Sequence, residues 1–313
     1  MTALTKLMKE LEELPKGFSR PTALPANLDE QRGWQNANRS WWESHPMRYD
    51  WKDAIQYEEF SKEFYTEIDR RFFGAVELYA PCKKTPFDWL IDFDSLKTKD
   101  VLEIGVGNGS HAQLLTEYAK SFTGIDLAQY SVKSTTERMR LFGLAGTVLQ
   151  MDAEQMQFGN NSFDLIWTWG VIHHSANTRK ILEEMRRVLR PGGEALVMVY
   201  HRTFWEYYVQ GAMLAILSGQ IFKPAALHAS IQRRTDGAIA RYYKRAEWEQ
   251  LVSDLFVVKD VRVYGKKTEL VPLPAGKVKD LLVGMVPNTF SRFLTNKCRW
   301  GSFLVTRLRK EAV

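Results

Sequence analysis

Residues 101–110 read VLEIGVGNGS, a short and largely apolar run followed by glycine at positions 105, 107 and 109. A buried strand, a glycine-rich turn and a helix, in that order, form a layout that takes nucleotides. Gly105 and Gly107 remove the Cβ atoms that would hold a ligand off the backbone. Gly109 lets the turn enter the next helix, whose first N–H groups lack intrahelical partners and face the same space. Spacing discriminates between ligands. A dinucleotide turn requires G-x-G-x-x-G/A, and counted from Gly105 the last position falls on Ser110. Glu103 stands two residues before the first glycine. A carboxylate there is badly placed beside a pyrophosphate and well placed beside an ammonium or a sulfonium.

Outward from this turn the chain alternates. SFTGIDL, GTVLQMD, SFDLIWTWG and EALVMVY read as strands. HAQLLTEYAK, YSVKSTTERMRLFGL and TRKILEEMRRVLRPGG read as helices, the last closed by Pro191 and two glycines. Such alternation predicts right-handed crossovers and a parallel sheet. Across 201–243 it gives way to mixed helical text, then resumes with helix KRAEWEQLVSDLF and strand VVKDVRVYG. A long connection containing prolines leads to the final strand GSFLVTRLRK, expected to be antiparallel to its partner. Upstream, residues 1–33 read as one short helix and an irregular arm, and 34–80 are rich in aromatics, with helical spacing from Ala54 to Tyr79. The expected fold is α/β: a Rossmann-like, doubly wound, mostly parallel seven-stranded sheet with an antiparallel last strand. Its parts are an N-terminal arm and helical lid (1–95), a core (96–200), a substrate-side helical insertion after strand five (201–243) and a C-terminal part of the sheet (244–313).

The stretch at 101–110 resembles the first motif of the class I S-adenosylmethionine-dependent methyltransferases of small-molecule type. FTGIDLA, LQMDAE, FDLIWTWGVIHHS and ILEEMRRVLRPGGEALV are similar to that family's later motifs, in the same order, so the resemblance covers residues 100–200 closely. It implies S-adenosyl-L-methionine as cofactor and methyl transfer as activity. Asp126, 21 residues after Gly105, would accept from both ribose hydroxyls. Asp152 would take the adenine amino group, with Met151 and Ala153 flanking the ring. Thr168, Trp169 and Gly170 would floor the methionine end. With Glu103, Gly105, Gly107, Asn108, Gly109 and Leu127 these residues make up the implied cofactor site.

Methyl transfer from a sulfonium needs the acceptor held in line and water excluded. A hydroxyl or ammonium acceptor also needs a base. Ligands in such folds lie at the carboxyl ends of the parallel strands. His173 and His174, after strand four, and His201, ending strand five, are therefore the candidate bases. The alternative for the first two is to cap the next helix or pack under the lid. Tyr200 and Arg202 share the end of strand five, Arg202 as an anion clamp or as an ordinary ion pair. In WWESHPMRYDW, Trp41, Trp42, Tyr49 and Trp51 either cover the site by stacking and cation–π attraction or pack the lid onto the core. RRTDGAIARYYKR offers Arg233, Arg234, Arg241, Tyr242 and Tyr243 to an acidic acceptor, against the plainer reading of a solvated loop turning at Asp236–Gly237.

Composition bounds these readings. The 313 residues are 45% apolar and 26% charged, which suits a globular chain with a large core. Cys82 and Cys298 follow no metal or redox spacing, so no metal site is expected and a reducing, cytoplasmic setting fits. MTALTKLMKELEEL lacks the apolar segment of a secretory signal. The apolar segment Phe204–Phe222 carries Glu206, Gln210 and Gln220 and is too short for a transmembrane span. It reads as a buried or half-buried helix, with a membrane-surface helix or a wall of an apolar substrate pocket as alternatives. Residues 201–313 hold 19 Lys/Arg against 9 Asp/Glu, while the remainder hold 24 against 28. That bias suits either an anionic partner or a solvated basic face. No basic block interleaved with aromatics marks a nucleic-acid module. The expected partner is a small-molecule acceptor, with no nucleic acid and the oligomeric state open. Three rivals stand: methyl transfer to RNA or protein, which for amines lacks an N-P-P-Y type motif; a nicotinamide oxidoreductase, disfavoured by Ser110 and Glu103; and a non-catalytic binder.

Overall fold

The computed structural model describes residues 15–312, apart from 16–17, 51–52, 218, 220–221, 223–225, 234, 272 and 274–275. Its strands are β1 (Asp100–Ile104), β2 (Ser121–Asp126), β3 (Thr147–Gln150), β4 (Phe163–Trp169), β5 (Leu189–His201), β6 (Tyr242–Tyr243), β7 (Val257–Tyr264) and β8 (Phe303–Arg309). They form one sheet in the order β3-β2-β1-β4-β5-β8-β7. The first five strands are parallel to one another, and β8 runs antiparallel to both β5 and β7. This is the doubly wound, mixed seven-strand path that the alternation predicts. The two-residue β6 adds to it, pairing Tyr200 with Tyr242 and His201 with Tyr243.

The helices are α1 (Leu28–Ser44), α2 (Lys62–Tyr79), α3 (Ser110–Thr116), α4 (Gln129–Phe142), α5 (Thr178–Val188), α6 (Gly211–Leu217), α7 (Ala226–Gln232), α8 (Arg245–Val252), α9 (Lys277–Met285) and α10 (Asn288–Arg292). The central strands are buried on both faces, which is why they read as continuous apolar runs. Side chains alternate across the sheet. Leu102, Ile104, Val197, Val199 and Leu304 join a core on one face with Leu182, Met185 and Val188 of α5 and Trp248 of α8. Val101, Leu196, Met198, Phe303 and Val305 join the opposite core with Phe72, Val76 and Tyr79 of α2 and Leu115 of α3. Each large side chain so buried contributes about 1.5–3 kcal/mol relative to exposure.

Several boundaries differ from expectation. The helical spacing from Ala54 does not begin a helix there. Phe60 has φ +67°, which no helix tolerates, and α2 starts behind Ser61, whose Oγ accepts from Phe64 N at 3.1 Å. The supposedly irregular arm contains the start of α1, capped by Asn27 accepting from Glu30 N at 2.9 Å. α5 stops at Val188, and Pro191–Gly193 belong to the start of β5, with Gly192 at φ +78°. The connection 266–300 holds α9 and α10. The helix read in residues 1–14, Trp51 and Arg234 lie outside the described residues.

Candidate active site

β1 delivers the chain into the glycine turn at the carboxyl edge of the sheet. Gly105 has φ +81°, and a Cβ there would lie 2.3 Å from Val171 Cγ2. Gly107 has φ +54°, and a Cβ there would meet nothing within 4 Å, so its bare face opens on the cavity. The turn's carbonyls point the other way. Gly107 O accepts from Thr135 Oγ1 at 3.0 Å, and Asn108 O accepts from Arg138 Nη1 at 3.1 Å. Asn108 also ties the lid down: its Nδ2 donates to Met47 O at 2.7 Å and its Oδ1 accepts from Ser134 Oγ at 2.7 Å.

Asp126, the last residue of β2, faces the cavity. Its Oδ2 accepts from Gly107 N at 3.1 Å and its Oδ1 from Ala128 N at 2.9 Å. Burial raises its pKa, and these N–H donors oppose the rise. Leu127, Met151, Ala153, Trp169 and Gly170 line the same cavity, which measures about 330 Å³. Glu103 sits beneath it, 1% exposed, with Oε1 3.6 Å from His111 Nδ1 and no partner for Oε2 among the described residues. Burial, then the charge of Asp126, pushes its carboxyl well above the ordinary range. Glu103 thus lies below the cavity floor, its charged form disfavoured by burial, where the sequence suggests a carboxylate in contact with ligand. His111 lines the cavity above it, and burial lowers its pKa to about 3, keeping the ring uncharged.

α1 and the turn after it form the lid. Gln35 Nε2 donates to Asp152 Oδ1 at 2.9 Å, and Gln35 Oε1 accepts from Ala176 N at 3.1 Å. Asn38 Nδ2 donates to His174 O. Trp42 meets the His174 ring edge-on at 5.1 Å, and Tyr49, at φ +57°, stacks on Phe72 at 5.1 Å. Trp42, Tyr49, Phe72, Tyr79, Met198, Tyr200 and Phe303 make the far end of the cavity apolar and aromatic, interrupted by His174, Asp236 and Lys266.

His174 Nδ1 lies 2.8 Å from Ile239 O, which can only accept, so Nδ1 carries a proton directed at that carbonyl. A Cβ on Gly237 would lie 2.5 Å from that Nδ1, so the loop's approach depends on glycine. Asp236 precedes it and faces Tyr49 and Tyr200 closely enough that its charge helps raise both phenols, after burial.

Other candidates lie elsewhere. His173 is wholly buried, its ring 3.9 Å from that of Tyr200, and outside the cavity lining. His201 Nδ1 donates to Gly301 O at 3.0 Å, a contact between the end of β5 and the approach to β8 that leaves it out of the cavity lining. Arg202 pairs with Glu247. Arg241 clamps no anion: buried, it donates to Ala23 O (2.9 Å), Ser175 O and Ala176 O (2.5 Å). Tyr242 shares a 2.5 Å hydrogen bond with Thr235 Oγ1, and Trp41 stacks on His45 at 4.0 Å. Thr168 is fully buried, Gly109 packs against Thr135 and Arg138, and Asp152 turns to Gln35, so none of these three lines the cavity. Gln35, Asn38, His111, Lys266 and Phe303 line the cavity without any mark in the local sequence, and Asp236, which reads as a turn residue, lines it too. The Asp-Gly pair was the available signal, since a loop glycine often marks a close approach.

Residues 102–197 match the profile of a methyltransferase domain family. Over 97 residues the chain is 40% identical to the phthiotriol/phenolphthiotriol dimycocerosates methyltransferase of Mycobacterium tuberculosis, covering 30% of this chain and 35% of that protein. It is 24% identical over 180 residues to the tRNA U34 carboxymethyltransferase of Pseudoalteromonas atlantica, covering 50% of this chain and 54% of that one. A SAM dependent methyltransferase of known structure from Aquifex aeolicus aligns over 77% of this chain and 93% of its own at 16% identity and a TM-score of 0.47. The match thus spans about a third of the first relative and about half of the second.

Proposed function

We infer that this chain, whose residues 102–197 belong to the class I S-adenosylmethionine-dependent methyltransferases, transfers a methyl group to a hydroxyl of a compact, largely apolar acceptor. The observation that carries this reading is the composition of one cavity: a bare glycine turn and Asp126 at one end, His174 and Asp236 among aromatic walls at the other. Of the two relatives, one is named for tRNA U34 and the other for phthiotriol and phenolphthiotriol dimycocerosates. The shared core therefore leaves the acceptor open, and residues outside it decide. Enclosed aromatic walls suit a compact apolar molecule better than a polynucleotide, which needs a cationic track.

The residues present suit the cofactor. The open face of Gly107 admits a ligand to the backbone, and Asp126, held by the Gly107, Ala128 and Leu127 N–H groups and by Ser131, presents its carboxyl to the cavity where a ribose diol could donate to it. Met151, Ala153 and Leu127 supply apolar edges for a flat ring, and His111, whose buried Nε2 has no partner among the described residues, adds polar capacity to the lining. When bound, S-adenosylmethionine supplies a methyl group on a sulfonium. The chain's own part is to exclude water with α1, Trp42 and Tyr49, and to orient the acceptor between Tyr200, Phe303 and Trp169. His174 takes the acceptor's proton at Nε2, while Nδ1–H stays on Ile239 O and Asp236 nearby favours the resulting charge.

Calorimetric titration with S-adenosylhomocysteine tests the cofactor end. Asp126→Ala should weaken binding by about a hundredfold, two hydrogen bonds to a charged group being lost. Equal affinity in wild type and variant would refute the assignment. Label transfer from methyl-labelled cofactor to hydroxylated aromatic acceptors tests the other end. His174→Asn should lower turnover by about 10²–10⁴ with S-adenosylhomocysteine affinity retained.

A further inference from the structure

We propose that α9, together with the chain from 286 to 300, forms a docking face for an anionic lipid bilayer. Val278, Leu281, Leu282 and Met285 recur at i, i+3, i+4 and i+7, the spacing of a single helical face. On a globular protein that face normally turns inward. Here the four are 65, 66, 39 and 72% exposed, and α9 buries no residue. The apolar surface continues through Phe290 and Phe293, each about half exposed. Single exposed apolar residues need no explanation, but a whole amphipathic stripe facing water does.

Charge selects the occupant. Residues 266–300 contain seven Lys/Arg and two Asp/Glu, and one of those acids, Glu269, is buried. Lys277, Lys297 and Arg299 are exposed. A second copy of this face would bring like charges together, which opposes self-association. An anionic bilayer satisfies both features: the stripe enters the headgroup–acyl boundary and the cations stay at the phosphates. Each basic side chain near such a surface raises partition by about fivefold. α9 has nine residues, and no helix among the described residues is long and apolar enough to cross a membrane, so the face lies on the bilayer.

The face also borders the aromatic end of the cavity. The turn Lys267–Leu270 packs on α9, and Lys266 lines the cavity. Asn296 Nδ2 donates to Tyr79 O at 2.8 Å, and Tyr79 is another lining residue. Docking here would set that end of the cavity close to the headgroup layer. The proposal does not depend on the methyl-transfer reading, because vesicle binding is measured without cofactor or acceptor.

The test is flotation of the full chain with vesicles of equal parts phosphatidylcholine and phosphatidylglycerol, against phosphatidylcholine alone. The wild type should float with the mixed vesicles, stay in solution with the neutral ones, and release as sodium chloride rises. L281E/L282E and, separately, K277E/K297E/R299E should each lose at least tenfold in partition while keeping wild-type circular dichroism and melting temperature. No flotation with mixed vesicles would overturn the proposal, as would flotation that neither variant changes. Concentration-dependent dimerisation abolished by L281E/L282E, without flotation, would also overturn it and identify the face as a self-association surface.

Discussion

Gln35 of α1 and Asp152, just past β3, are joined by a 2.9 Å hydrogen bond, and the oxygen of the same amide accepts from Ala176 N–H at 3.1 Å. One side chain thus pins the lid to the segments that follow β3 and β4, beside the cavity. Gln35→Ala should weaken S-adenosylhomocysteine binding about tenfold, the value of one charge-assisted bond. Gln35→Glu should be worse despite its shape, because it cannot donate and sets a second carboxylate against Asp152. Isothermal titration of both variants gives the answer; wild-type affinity in both would show that α1 is no part of the site.

Gly105 is needed twice over, for its φ of +81° and for the 2.3 Å approach of Val171 Cγ2 to the place a Cβ would take. Gly105→Ala should cost about 3 kcal/mol, of which about 1–2 reflects the left-handed backbone. Adding Val171→Ala should recover part of the steric share and none of the backbone share, so the double mutant destabilises by less than the sum of the singles. Urea unfolding of the four proteins measures the coupling. Simple additivity would mean the turn relaxes away from Val171.

Why the glycine turn was readable and the base was not follows from how each is built. Gly105, Gly107 and Asp126 act through local spacing on adjacent parallel strands, and strands buried on both faces announce themselves as apolar runs. The placement of His174, by contrast, depends on Gly237 and Ile239, which fold back over it from more than sixty positions away. His201 stands at an equally suitable strand end, yet the returning chain at Gly301 claims its ring. Lys266 and Phe303 reach the cavity only because β8 inserts between β5 and β7. No short-range pattern encodes those approaches. Arg241 is hard to read for a related reason: among the basic residues around it in the sequence nothing local distinguishes a buried guanidinium.

Arg241 closes three backbone carbonyls and lies over the rings of Phe18 and Trp34 at 5.5 and 5.8 Å. Arg241→Met keeps most of the volume and leaves those acceptors buried without donors. The loss should be about 3–5 kcal/mol, with residues 18–26 becoming sensitive to protease. Denaturant unfolding within 1 kcal/mol of wild type would contradict a clamping role.

Buried Glu269 and partly buried Glu206, whose Oε2 is enclosed, interact between the helical turn Phe204–Gln210 and the chain after β7. Ser302 Oγ donates to Glu269 at 2.7 Å, and Glu206 Oε2 has no partner among the described residues. Burial raises both carboxyls, and the charge of Glu206 further raises Glu269. The folded chain therefore keeps a proton that the unfolded chain has already released. Stability from this pair is full below the ordinary carboxylate range and falls as pH rises through the raised values. Glu206→Gln removes one acid and the push on the other, so the decline of melting temperature with pH should flatten. A residual slope is expected from Glu103, whose pKa is displaced in the same direction. Scanning calorimetry across neutral pH checks this; parallel curves would exclude the pair as its source.

The grip of Arg241 on Ala23 joins residues 218 positions apart. A ribosome adding roughly 5–20 residues per second makes one of these residues on the order of ten to forty seconds before the other. During that interval Phe18 and Trp34 have no guanidinium to lie against, and α1 lacks its anchors at Asp152 and Ala176 for much of the same wait. The segment around Phe18 and Trp34 therefore waits for a distant residue before its packing can close.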